Sequence, residues 1–347
     1  MASRRTRGNR KKRGLGAAGF FLAFLLLAVL ALAAAGWMIF TPFGLSTETF
    51  VEIEPGSSST RIARQLEAAG IVRSQFAFDL YRWVRKGKLK AGEYRFDHPA
   101  PLTEVYDRIA RGDVYTVAVT VPEGATIFEV AARLEQAGIG TREEFLDQQG
   151  QLSGLVADFD PKAKSLEGYL FPDTYRFPRR ATSRQVAAAM VRQFRLEAAQ
   201  IGLKENVHEV VTLASLVERE TALDAEKPLV ASVFQNRLAK HMPLMTDPSV
   251  IYGLELEKQW RGTIYASDLK RNTPYNTYLH AGLPPGPVAN PGLPSLRAAM
   301  NPAQSNYLYF VAAGANPQGK SLFSETLEEH ARDVSGYRKA LKRAGQR

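Results

Sequence analysis

The sequence predicts an α+β protein: an N-terminal membrane-spanning helix, then two related strand–helix units, then a larger mixed α+β region. Three observations lead there. Residues 14–40 carry no charge. Residues 51–76 and 119–145 repeat one another. Residues 196–347 hold two strongly apolar helical runs, a Pro/Gly-rich stretch and a short strand pattern.

Residues 1–13 contain Arg4, Arg5, Arg7, Arg10, Lys11, Lys12 and Arg13 and no acid, and Phe20 to Leu32 is almost continuously apolar. The uncharged run exceeds the roughly 20 residues needed to span a bilayer. Basic flanks stay on the cytoplasmic side, so residues 1–13 read as a cytoplasmic tail and 14–40 as a single transmembrane helix. The remainder is then periplasmic or otherwise extracytoplasmic, attached to the cytoplasmic (inner) membrane, with Trp37 placed to sit at the interface. A signal peptide cut near Ala33–Ala35 is the alternative, although its apolar run would be unusually long.

The tail supplies seven of the ten net positive charges. A nearly balanced remainder argues against a nucleic-acid groove. Arg338, Lys339, Lys342, Arg343 and Arg347 form a second basic patch, read as a solvated helix end. There is no cysteine, which excludes disulfides, a thiol nucleophile and a Cys-based zinc site. The five histidines form no HExxH pair, so neither a metal nor a cofactor is expected.

The repeat defines the middle of the chain. Gly56, Ile62, Ala63, Leu66, Ala69, Gly70 and Ile71 match Gly124, Val130, Ala131, Leu134, Ala137, Gly138 and Ile139 at constant spacing. Each half reads as a strand, a Pro/Gly turn and a glycine-stopped helix. Tyr94-Arg95-Phe96 and Tyr175-Arg176-Phe177 echo each other further on. The expected units are 41–118 and 119–195. Their first halves, as in Glu123-Gly124-Ala125-Thr126-Ile127, resemble LysM modules, strand–helix–helix–strand units that bind N-acetylglucosamine polymers; a spacer role is equally compatible.

In 196–347, His208–Thr221 and Lys227–Ala239 have helical periodicity, the second with Val230, Val233, Phe234 and Leu238 on one face. Tyr307–Ala312 reads as a buried strand. Residues 282–294, too rich in Pro and Gly for a helix or central strand, suit an irregular cleft wall. Nearby Tyr275, Asn276, Thr277 and Tyr278 offer the rings, amides and hydroxyls that sugars need.

Glu218 lies in the first apolar run, on the same side as the small residues Val211, Ala214, Ser215 and Ala222. If that arc packs, the carboxyl is partly desolvated and its pKa rises, as a general acid requires. Glu220 lies beside Leu213 and Leu216, where less room for substrate is expected. The plain alternative is that both are solvated, helix-favouring residues.

Taken in order, ASLVERET (214–221), VFQNRL (233–238), LMTDPSVIYG (244–253), PYNTY (274–278), GLPPGPVANPG (282–292) and LYFVA (308–312) resemble the YceG-like endolytic murein transglycosylases. The resemblance implies a lyase that cuts nascent peptidoglycan strands internally, at the MurNAc–GlcNAc bond, leaving a 1,6-anhydro-MurNAc end and terminating elongation. It places the family's catalytic glutamate on Glu218. It places Asn236, Thr246, Asp247, Tyr275, Asn276 and Tyr278 along the cleft. Its implied partners are glycan strands, the membrane and cell-wall synthases. A hydrolase in which Glu220 or Asp247 activates water, and a non-enzymatic glycan-binding anchor, are the rival readings.

Overall fold

The computed structural model of the protein describes residues 17–316 and 319–345, so the basic tail and Arg347 lie outside the described residues. The chain divides between Tyr115 and Thr116 into two compact units.

The first unit begins with α1 (Ala17–Phe40), a helix long and apolar enough to cross a membrane. It continues with β1 (Thr49–Ile53), α2 (Ser59–Ala68), α3 (Gln75–Arg85), β2 (Gly92–Phe96) and α4 (Leu102–Arg111). β1 and β2 pair antiparallel with Val51 opposite Tyr94. Their inward residues close a core with Ile62, Leu66, Phe78, Val105 and Ile109. Ile39, in the last turn of α1, belongs to that core. Arg73 holds the junction: its guanidinium lies 4.1 Å over the Trp37 ring and donates to the Pro42 carbonyl at 2.9 Å.

The second unit opens with the same plan plus one short helix, α7: β3 (Val117–Val121), α5 (Ile127–Gln136), α6 (Arg142–Asp147), α7 (Gln149–Leu152), β4 (Asp173–Phe177) and α8 (Ser183–Gln200). Val119 faces Tyr175 in the β3–β4 pair, in the register seen for Val51 and Tyr94. The chemistry of the turns repeats too. Gly56 and Gly124 have φ of +79° and +73°. Ser58 and Thr126 then cap the following helices by accepting from the backbone N–H groups of Arg61 and Glu129. Gly70 and Gly138, at +69° and +75°, end those helices.

No boundary separates this βαααβα unit from the helices C-terminal to it. Val186, Met190 and Phe194 of α8 share one core with Val119 and Val121 of β3 and with Val211 and Leu216 further on. The remaining elements are α9 (Val207–Glu220), α10 (Lys227–Ala239), α11 (Asp247–Leu256), α12 (Leu293–Met300), β5 (Tyr309–Ala312), β6 (Ser321–Ser324) and α13 (Leu327–Ala344). α9 packs against α10, α11 and α12. The strand expected over 307–312 starts at Tyr309 and is only half-buried. Among the described residues its one strand partner is β6, and α10 and α13 pack against it. Arg338, Lys339, Lys342 and Arg343 lie exposed on α13, as expected.

The Pro/Gly stretch differs more from expectation. Residues 282–292 are irregular, but 286–292 are buried, and Leu293 and Pro294 already belong to α12. Pro fits there because a helix's first turn leaves its N–H groups unpaired in any case. A buried irregular segment must find partners for its backbone. Val288 N–H donates to Ser215 Oγ at 3.0 Å, and Asn290 exchanges backbone bonds with Gly124 and Ala125 at 2.9 Å.

Gly168 fixes how closely this segment approaches. It has φ +89°, and a Cβ there would lie 2.6 Å from Pro287 Cγ and 2.7 Å from Val211 Cγ1. A side chain would meet both left-handed strain and overpacking, about 2–4 kcal/mol together. Gly138, also left-handed, faces open space. We therefore expect Gly168→Ala to lose about 2–4 kcal/mol in chemical denaturation and Gly138→Ala about 1 kcal/mol. Equal losses would show that the close approach does not limit stability.

Candidate active site

α9 is buried from Val211 to Val217 and stops because Thr221 is extended (φ −141°, ψ 136°). Successive side chains of its last turn point about 100° apart. Glu218, Arg219 and Glu220 therefore enter three different surroundings.

The Glu218 side chain is 6 % exposed. Lys227 Nζ approaches its two oxygens at 3.2 and 3.4 Å, and Oε2 also accepts from Gly292 N–H at 2.9 Å and Ser295 Oγ at 2.7 Å. Lys227, itself buried, also meets Asp224 at 2.9 Å and Glu123 at 3.8 Å. Burial opposes the ammonium, but Asp224 and Glu218 outweigh it and raise the Lys227 pKa. Burial, and then the charge of Glu218, raises that of Glu123.

From sequence, a partly desolvated Glu218 is expected; the carboxyl is buried, and it is also met by an ammonium, an N–H and a hydroxyl. Of the small residues beside it, Val211, Ala214 and Ser215 are buried. They let α12 and the 286–292 segment pack in, and the incoming N–H and hydroxyl occupy the carboxyl. Arg219 turns outward and donates to the Gly124 carbonyl at 3.0 Å.

Glu220 has the properties expected of its neighbour. It is half-buried and has no hydrogen-bonding partner among the described residues. Desolvation, reinforced by the charge of Asp247 and opposed by Arg237, raises its pKa to about 7. Tyr278 donates to Asp247 Oδ1 at 2.7 Å, and its phenol pKa is raised by burial and by that bond. Arg237 is fixed by bonds to the Leu308 carbonyl at 2.7 Å and the Leu244 carbonyl at 2.8 Å. Burial lowers its pKa.

Of the six cleft residues expected from sequence, Asp247 and Tyr278 thus converge on Glu220. Tyr275 packs edge-on against Tyr252, ring centroids 5.0 Å apart. The other three spend their polar groups on bracing. Asn276, fully buried, donates to the Leu269 and Arg271 carbonyls and accepts from Tyr278 N–H. Thr246 caps α11. Asn236 donates to the Ser305 and Tyr307 carbonyls at 2.8 and 3.0 Å.

Sequence reasoning missed Lys227, Ser295 and Arg237. Lys227 left a signal: a cation in the first turn of a helix opposes the helix dipole unless carboxyls face it. It also missed Glu167 and Asn290, both buried. Asn290 Nδ2 donates to Glu167 Oε1 at 3.0 Å and to the Ala125 carbonyl at 2.9 Å, while its Oδ1 accepts from Leu170 N–H. Burial pushes the Glu167 pKa up to about 8. The folded state therefore holds a proton that the unfolded chain releases near 4.5. Stability present below pH 4.5 is lost as pH rises toward about 8, at up to about 1.4 kcal/mol per pH unit for one proton. Glu167→Gln should flatten that decline in urea titrations between pH 5 and 8 (about the window set by the shift). An unchanged slope would remove Glu167 as its source.

Among the described residues no group of acids and histidines could hold a metal ion. What the site offers is one raised, unpaired carboxyl beside a carboxyl–phenol pair, an arrangement suited to proton transfer.

Comparison with known proteins gives a consistent picture. Residues 51–336 match the model of the YceG-like family. A Bacillus subtilis (strain 168) protein named endolytic murein transglycosylase is 33 % identical over 312 residues, covering 84 % of this chain and 85 % of its own. A Streptococcus pneumoniae (strain ATCC BAA-255 / R6) protein of the same name is 30 % identical over 360 residues. That match covers 91 % of this chain but 64 % of the pneumococcal protein, just under two thirds of its length. The crystal structure of a YceG-like protein from Listeria monocytogenes aligns with a TM-score of 0.54 and 32 % identity, over 82 % of this chain and 98 % of that one. With the match running through both compact units, the chain belongs to the YceG-like family.

Proposed function

We propose that this chain is a membrane-anchored endolytic transglycosylase that cleaves the MurNAc–GlcNAc bond of nascent peptidoglycan strands and leaves a 1,6-anhydro-MurNAc end. The names of its relatives support the substrate and the reaction class. The observation that carries the mechanism is the unpaired Glu220 carboxyl, with its pKa near 7 and the Asp247–Tyr278 pair beside it.

Protonated Glu220 gives its proton to the glycosidic oxygen. The bond from that oxygen to the muramic anomeric carbon breaks, and its electron pair stays with the departing N-acetylglucosamine. Glu220, now ionised, takes the proton of the muramic 6-hydroxyl as that oxygen bonds to the anomeric carbon. The carboxyl ends the cycle protonated, and no water is consumed. Intramolecular attack benefits from proximity, and Asp247 supplies negative charge near the developing cation. Glu218 acts through position: it locks the helix end that presents Glu220.

The Glu220–Asp247 proximity also favours a second reading, hydrolysis, in which one carboxyl is the acid and the other activates water. Mass spectrometry of the products separates the two, anhydro ends against reducing ends.

α1 serves as the anchor. Its 24 residues extend about 36 Å, more than the apolar thickness of a bilayer. The LysM-like units would guide a strand toward the cleft, and wall synthases would supply it.

Glu220→Gln should lower kcat by about 10²–10⁴-fold with a smaller effect on KM, because it removes the proton donor and little shape. Glu218→Gln should lower stability by about 1–3 kcal/mol yet keep turnover within about tenfold. Wild-type kcat should fall as pH rises through about 7, where the acid loses its proton. An inactive but folded Glu218→Gln beside an active Glu220→Gln would assign the acid to Glu218.

A further inference from the structure

A cavity of about 620 Å³ opens beside α5, α6 and the C-terminal end of α11, apart from the Glu220 site. Its size is that of a small-molecule pocket. Two rings line it, Phe128 and the half-buried Trp260. Four carboxyl side chains face it, from Glu135, Glu143, Asp147 and Glu255, against two cations, Arg142 and Lys258. Glu135 is engaged by the Arg142 backbone N–H at 3.0 Å. Glu255 is different: its Oε2 is buried and has no hydrogen-bond partner. Desolvation, with the charge of Glu129, raises its pKa to about 7, and Arg219 and Arg142 oppose the shift.

The cavity is tied to the reaction site by a rigid element. α11 begins at Asp247, beside Glu220, and carries Glu255 in its last turn. Eight helical residues place the two about 12 Å apart along the axis. That distance is spanned by about four extended amino-acid residues. A glycan strand held at Glu220 could thus reach the cavity with a short branch. Neutral sugar hydroxyls would leave the excess of carboxyls unmatched, whereas an ammonium group would pair with Glu255 and lie over an aromatic face.

We propose that this cavity binds the peptide branch of a murein strand, taking an ammonium-bearing residue between Trp260 and the carboxyls of Glu255 and Glu143. The proposal rests on the murein-cleaving function and names the form of substrate preferred.

The test compares full-length wild type, Trp260→Ala and Glu255→Gln on uncrosslinked glycan with and without its peptides. The wild type should show the lower KM on the peptide-bearing strand. Each variant should raise that KM about tenfold, leave kcat unchanged and leave the peptide-free strand unaffected. Equal losses on both strands would make the cavity a sugar subsite and overturn the proposal, as would no change on either. Should the wild type cut neither strand, the murein-cleaving reading fails, and binding then decides. Titration of the tripeptide L-alanyl-γ-D-glutamyl-L-lysine into Glu220→Gln protein should give saturable binding that Glu255→Gln abolishes. No binding, or binding unaffected by Glu255→Gln, would overturn the proposal.

Discussion

The contact on which the site depends is the one that occupies Glu218. Its carboxyl gathers an ammonium from α10, an amide from the 286–292 segment and a hydroxyl from α12. Three elements are thereby fixed to the last turn of α9. Because that turn has only one orientation satisfying Glu218, Glu220 must point the other way, toward the start of α11 and the Tyr278 loop. A buried charged group with several donors is costly to disturb, since removing one partner strands the others. The clamp and the raised carboxyl of Glu220 are two residues apart, so rigidity in one is delivered directly to the other.

The second repeat contributes to the same end. Its Pro/Gly turn brings Glu123 to Lys227 and Gly124 to Arg219. Its buried Glu167 receives Asn290. A β-strand unit that could have been only a spacer therefore shares a core with the helices and braces the segment that completes the Glu218 clamp. The first unit has the same strand register and the same order of elements except for a counterpart of α7, but it carries α1.

Much of this was legible in the sequence. Constant spacing of Gly56 and Gly124, and of Gly70 and Gly138, reported real left-handed turns, because few other residues tolerate that backbone. The Tyr-Arg-Phe echoes marked equivalent strand positions. The short family blocks pointed to Asp247 and Tyr278, and both stand beside Glu220. The sequence singled out Glu218 of the VERE run, but it could not show which of the two glutamates lacks a hydrogen-bonding partner among the described residues. Helical phase says which residues share a side and nothing of what arrives there. Small side chains were read as room for a ligand, when Ser295 and Gly292 use that room. Asn236, Thr246 and Asn276 illustrate a related limit: a polar residue in a cleft-forming block can hold the loop rather than the ligand, and only its hydrogen bonds tell which.

The central claim is that Glu220 holds its proton near neutral pH because it is desolvated and unpaired. The most direct measurement is an NMR titration of side-chain carboxyl carbons in protein labelled at glutamate, with the Glu220 signal identified by its loss in Glu220→Gln. The account predicts a midpoint near 7. A midpoint at the ordinary glutamate value of about 4.3 would contradict it.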